Sequence, residues 1–168
     1  MVNSVNRHVL ECQKNSSFEI VESLVEAPDY LFIPVGNAGN ITAYWRGFRE
    51  YYSAERSLRL PKMMGFQAEG AAPIVRGTPV ANPQTIASAI RIGNPASWQG
   101  AKAAAQFSGG KIDKVTDEQI VSAYKQIAST EGVFVEPACA AALAGIIKVT
   151  NTGGIDEGSI VVSTMTGH

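Results

Sequence analysis

Cysteine and histidine are nearly absent from this chain, with two of each among 168 residues. Cys12 and Cys139 lie far apart and form no CxxC pair, and His8 and His168 stand at no metal-ligand spacing from Cys, Asp or Glu. A metal or redox site is therefore not expected. Both cysteines read as small buried apolar residues in a reducing compartment. An excess of charge of either sign is missing too: 14 basic residues face 15 acidic ones. That balance gives no footprint for nucleic acid or an anionic membrane surface. No apolar run approaches the ~20 residues of a membrane span. The opening, Met1-Val-Asn-Ser-Val-Asn-Arg7, lacks the basic-then-apolar plan of a signal peptide. Repeats and low-complexity tracts are also absent. What remains is a cytoplasmic protein, with neither nucleic acid nor membrane as partner, whose ligand is a small molecule.

What is there is enough for one core. The hydrophobic fraction of 45% and the length suit a single α/β domain over residues 1–168. Phe18, Val21, Leu24 and Val25 recur at helical spacing within Glu11 to Glu26, and Ala27-Pro28-Asp29 stops that helix. Tyr30 to Val35 is a continuous apolar run, the pattern of a strand buried on both faces. A second helix, Ile41 to Ala54, carries Tyr44, Trp45, Phe48, Tyr51 and Tyr52, read as core rather than as a stacking platform. Lys62 to Gln67 reads as a second strand, and Asn82-Pro83 as the start of a short helix through Ile86 and Ile90, closed by Gly93-Asn94-Pro95. Thr116-Asp-Glu-Gln119 is a capping-box pattern ahead of Ile120, Val121, Tyr124 and Ile127. Val133 to Val135 reads as a strand, Ala138 to Val149 as an alanine-rich helix, and Ser159 to Ser163 as a final buried strand. This alternation predicts an α/β fold in three layers, a mostly parallel sheet with helices on both faces.

The chemistry gathers at predicted strand ends. Gly36-Asn37-Ala38-Gly39-Asn40 joins the first strand to the second helix, and glycines there let backbone N–H groups converge on an anion at the helix's positive end. Asn37 and Asn40 add amide donors or cap the helix. A tight turn between strand and helix uses glycines without any ligand, and the loop alone leaves both readings open. It matches neither G-x-G-x-x-G nor a P-loop. Glu136-Pro137-Ala138-Cys139 and Thr164-Met-Thr-Gly-His168 mark two further ends that a doubly wound sheet brings to the same edge, forming a cleft with a phosphate loop, a carboxylate and a hydroxyl.

Five blocks in order, Ile33 to Trp45, Gly70 to Pro73, Thr85 to Gly93 with Pro95-Ala-Ser-Trp98, Glu131 to Pro137, and Thr164 to His168, resemble bacterial threonine synthase over nearly the whole chain. That family belongs to the tryptophan-synthase-β-like, fold-type-II pyridoxal-phosphate enzymes. It converts O-phospho-L-homoserine and water to L-threonine and phosphate. The resemblance implies the large domain of such an enzyme, pyridoxal 5′-phosphate as cofactor, and a homodimer for the full-length enzyme. By resemblance, Gly36, Asn37, Ala38, Gly39 and Asn40 hold the cofactor's 5′-phosphate. Thr166 faces the pyridine nitrogen, where a neutral hydroxyl moderates the electron sink, and Glu136 lies near the ring. Without the family, Thr166 reads as an ordinary β-branched strand residue and Glu136 as a carboxylate favoured at a helix N-terminus.

The opening segment resembles the part that binds the substrate's phosphate, with Asn3, Ser4 and Arg7 as the candidates and Gln13-Lys14 matching the helix start. Arg7 replaces the family's proline, Val9 its phosphate-binding arginine and Cys12 its glycine. A bidentate guanidinium is not restored by a charge two residues away without backbone adjustment. The lysine that carries the cofactor covalently in the family lies in an N-terminal part with no match here. Lys14, Lys62, Lys102, Lys111, Lys114, Lys125 and Lys148 read as solvated surface residues or helix-end charges. The expectation is a piece of the large domain, without the lysine-bearing part, the small domain or the C-terminal tail, with no catalytic residue of its own and inactive alone. Two other readings stand beside it: a non-catalytic phosphate- or pyridoxal-phosphate-binding module, and a related lyase such as threonine ammonia-lyase or cysteate synthase.

Overall fold

A computed structural model describes residues 7–167. Four parallel strands form one sheet in the order β3-β2-β1-β4, with β1 at Tyr30–Pro34, β2 at Lys62–Ala68, β3 at Lys111–Val115 and β4 at Val161–Ser163. All five residues of β1 are buried, because the strand is paired on both edges and covered on both faces. Its side chains alternate between two cores. Tyr30 and Phe32, with Met64, Phe66 and Val115, face α5 (Asp117–Glu131) and α6 (Pro137–Asn151). Leu31, Ile33 and Met63 face α1 (Arg7–Leu24), α2 (Gly39–Ser53) and α4 (Trp98–Ser108). A short α3, Pro73–Arg76, follows β2.

Small residues set the layer spacing. A Cβ on Gly145 of α6 would stand 2.4 Å from the Phe66 ring, and one on Gly47 of α2 would stand 2.0 Å from Ser17 Oγ of α1. Phe18 of α1 stacks on Tyr51 of α2 with ring centroids 4.2 Å apart. The capping box on α5 forms as the sequence predicts: Thr116 accepts from the Gln119 N–H, and Gln119 accepts from the Thr116 N–H.

Several expectations are corrected. No helix spans Asn82 to Gly93. Its backbone groups serve tertiary partners instead: Gln84 N–H donates to Gly70 O, Val80 N–H to Gly93 O, and Ile86 N–H to Asp117, leaving one 3-10 turn at Ser88–Ile90. Val133 to Val135 is extended but joins no strand; only Val135 is buried, and Phe134 is 72% exposed. β4 is an edge strand and half-buried rather than buried. Three elements are not legible in the sequence, the four-residue α3, α4 and β3; α4 is masked by small residues and β3 by three charged residues in five. Tyr44, Trp45 and Phe48 are core, whereas Tyr51 is half-buried and Tyr52 exposed. Cys139 is buried but Cys12 is exposed. Lys14 is not a solvated lysine: it is held between Glu11 at 2.7 Å and Glu50 at 2.6 Å, with a side chain 15% exposed.

Candidate functional site

The chain leaves β1 at Pro34 and turns through the five-residue loop into α2, at the carboxyl end of a central strand. Gly36 is needed at the start: a Cβ there would lie 2.9 Å from both Ala89 O and Ile90 Cα, so the 3-10 turn packs directly on its backbone. Ala38 is the residue before the helix and adopts the left-handed conformation, φ 65°, an uncommon state for a side chain with a Cβ. Its methyl group offers no acceptor, so no side chain caps the positive end of α2 from this position.

The two asparagines do work that the sequence leaves undecided. Asn40 donates from Nδ2 to Pro34 O at 2.8 Å and accepts from the Ile41 N–H at 2.7 Å, bracing the loop across its mouth. Asn37 accepts from the Ala96 N–H at 2.7 Å through its side chain and from the Ser97 N–H at 3.1 Å through its backbone, tying the loop to the start of α4. Both therefore hold the loop's shape.

One cavity of about 210 Å³ brings the predicted residues together: Gly36, Asn37, Ala38, Gly39 and Asn40 on one wall, Glu136 and Thr166 on another. Glu136 precedes α6 in an extended conformation without a side-chain cap hydrogen bond, and its N–H donates to Gly167 O at 3.2 Å. A Cβ on Gly167 would meet Glu136 Oε1 at 2.8 Å, so the segment after β4 lies against the carboxylate. Thr166 is anchored through Cys139: the thiol sulfur accepts from the Thr166 and Gly167 N–H groups at 3.1 and 3.2 Å and lies 3.5 Å from Thr166 Oγ1. The Thr166 side of the cavity is exposed.

Asn3 and Ser4 lie outside the described residues, as does His168. Arg7 is the first residue of α1, and its side chain is outside them too. Sequence reasoning missed five contributors to the wall, Gln13, Pro34, Ala89, Ile90 and Ala138. The signals were the Gln13-Lys14 pair at the helix start and the Thr85 to Gly93 block. No lysine lines the cavity among the described residues. Nor do three or more His, Cys, Asp or Glu residues gather there as a metal cluster, and no described helix is long and apolar enough to cross a membrane.

The set of groups suits a phosphorylated ligand: loop and helix-start N–H groups for the phosphate, a hydroxyl and a carboxylate across a cavity whose walls are otherwise largely apolar. Comparison with known proteins bears on this directly. The family model described as "Pyridoxal-phosphate dependent enzyme" matches residues 1–167. The chain is 57% identical over its whole length to a threonine synthase of Halalkalibacterium halodurans and 53% identical to one of Synechocystis sp.. It spans 47% and 44% of those relatives, less than half of each. A solved threonine deaminase isoform 2 from Solanum lycopersicum overlays 95% of this chain and 45% of its own with a TM-score of 0.76 at 22% identity. At that identity the overlay shows a shared fold.

Proposed function

Because this chain belongs to the family of pyridoxal-phosphate dependent enzymes, we propose that its cavity holds pyridoxal 5′-phosphate and that it is part of a threonine synthase, which turns O-phospho-L-homoserine and water into L-threonine and phosphate. The observation that supports this most is the convergence of the glycine loop, Glu136 and Thr166 on one cavity in a chain so close in sequence to threonine synthases. When bound, the cofactor supplies an electron sink for chemistry at the amino acid's carbons.

The chain's own residues bind and orient. The first-turn amides of α2 and the loop Gly36 to Asn40 grip the 5′-phosphate. Asn40 and Asn37, by bracing the loop at its mouth and against α4, keep those amides aimed without a ligand present, so little ordering is needed on binding. Thr166, held from behind by Cys139, would offer the ring nitrogen a neutral hydroxyl, which would not force that nitrogen to stay protonated. Glu136 would bound the cofactor from the start of α6. Asn3, Ser4 and Arg7 take the substrate's phosphate, with Val9 standing where the family's arginine would reinforce them. The lysine that would carry the cofactor and move protons at the substrate carbon is not supplied by the cavity wall described here. Catalysis therefore requires a lysine from outside these residues, in a cytoplasmic, dimeric whole enzyme.

One observation favours a second reading, of a binding module without turnover: the same wall that gathers the cofactor residues contains no lysine. Ligand binding in the presence of pyridoxal phosphate separates the two, because on neither reading does the chain alone release phosphate. With pyridoxal phosphate present, O-phospho-L-homoserine should bind in preference to L-serine, and the chain alone should release no phosphate. Turnover by the chain alone would overturn the expected inactivity. Equal binding of L-serine would overturn the substrate assignment.

A further inference from the structure

Gln13 is the only residue that α1 contributes to the cavity wall among the described residues. Its Oε1 is shielded from solvent and accepts no hydrogen bond from the described residues. A carboxamide oxygen has two lone pairs to satisfy, and leaving it without a donor away from water is unfavourable. Much of the wall cannot meet this need, since Pro34, Ala38, Ala89, Ile90 and Ala138 bring apolar side chains and Glu136 a second acceptor; Asn37 and Thr166 carry donors, but neither is hydrogen-bonded to Gln13 Oε1. The glycine loop, by contrast, presents N–H groups at the positive end of α2. The cavity thus has an anion-accepting end and a donor-accepting end.

The backbone under Gln13 is fixed independently of any ligand. Lys14 is clamped by Glu11 and Glu50, and Ser17 Oγ occupies the space above Gly47 while donating to Lys14 O at 2.6 Å. Gln13 is therefore preset over the cavity.

We infer that Gln13 is a specificity-determining contact, accepting a hydrogen bond through Oε1 from an N–H or O–H of a phosphorylated ligand bound in the cavity that the Gly36 loop lines. It selects phosphorylated ligands that carry a donor over bare phosphate esters. This rests on the phosphate-cradle reading above and extends it to a second point on the ligand. The donor comes from one of two sources, a protonated group of pyridoxal phosphate or the α-ammonium of a phosphorylated amino acid.

The test compares the unaltered chain with Gln13→Leu, which removes the acceptor, and Gln13→Glu, which keeps an acceptor and removes the amide donor. Each is titrated at pH 8 with methyl phosphate, pyridoxal phosphate, and O-phospho-L-homoserine added with and without pyridoxal phosphate. Circular dichroism checks that each variant folds. Methyl phosphate affinity should be the same in the chain and in Gln13→Leu. In Gln13→Leu the donor-bearing ligand should weaken by roughly tenfold, the worth of one hydrogen bond, and Gln13→Glu should recover it relative to Gln13→Leu. A loss confined to pyridoxal phosphate identifies the cofactor as the donor; a loss confined to the amino acid identifies its ammonium. Unchanged affinities in Gln13→Leu, or equal losses for methyl phosphate, overturn the inference while leaving the cradle intact. Failure of the unaltered chain to bind methyl phosphate and pyridoxal phosphate overturns the cradle and the inference with it.

Discussion

Gly36 shows how a single hydrogen in place of a methyl group shapes the site. Its backbone carries the 3-10 turn at Ala89 and Ile90, and a Cβ would sit 2.9 Å from two backbone atoms that cannot rotate away. Gly36→Ala should push that turn outward and open the cavity wall. Thermal unfolding should show a loss of about 1–3 kcal/mol, and pyridoxal phosphate should bind about tenfold more weakly, a change of about 1.4 kcal/mol. Glu26 makes a second prediction at this scale. The Ser57 hydroxyl, against the opposing pull of burial, together with the N–H groups of Leu58 and Ala27, holds its carboxyl down to about 2 from the ordinary 4.5. A carboxyl whose folded value is depressed contributes stability that is full above about 4.5 and is lost as the pH falls toward 2. Acid titration should therefore find the chain more stable than Glu26→Gln at pH 6, with the gap closing between pH 4.5 and 2.

At the scale of elements, legibility followed how local each signal was. The capping box on α5 was readable because both of its hydrogen bonds lie within four residues. Thr116→Ala should cost about 1 kcal/mol in chemical denaturation. The segment from Asn82 to Gly93 misled because its proline and spaced isoleucines form a helix pattern, yet distant groups, Gly70 and Asp117, claim its backbone and the Thr85 hydroxyl. β3 escaped because its apolar residues are few. It is an edge strand, and Asp113 pairs with Lys148 at 2.9 Å while Lys114 reaches Glu69 at 2.7 Å. Charges of this kind suit an edge, where they discourage pairing with another chain. The glycine loop was legible as a turn from its neighbours in sequence. That Asn37 braces, and that Asn40 both braces Pro34 and caps the Ile41 N–H, was not, since the partners Ala96 and Pro34 are set by the tertiary fold.

For the whole molecule, the parallel sheet explains why residues 36, 136 and 166 meet. β1 and β4 are neighbours in register, Phe32 opposite Ser163, so the chain after each strand emerges at the same edge. α6 packs across Phe66 on one face and delivers Glu136 beside Gly167. Gln13 reaches that edge only through the packing of α1 on α2, which is why its place in the cavity was not readable from the loop motif. The central claim is that this edge holds the phosphate of pyridoxal phosphate without a covalent link from the residues around it. The most direct measurement is a titration of the chain with pyridoxal phosphate, followed by phosphorus NMR and then by borohydride reduction and peptide mass spectrometry. Expected are saturable one-site binding, a shifted phosphate resonance whose titration midpoint moves about tenfold higher in Gly36→Ala, and no single lysine labelled on reduction. An unshifted resonance, the same midpoint in Gly36→Ala, or stoichiometric labelling of one lysine would contradict it.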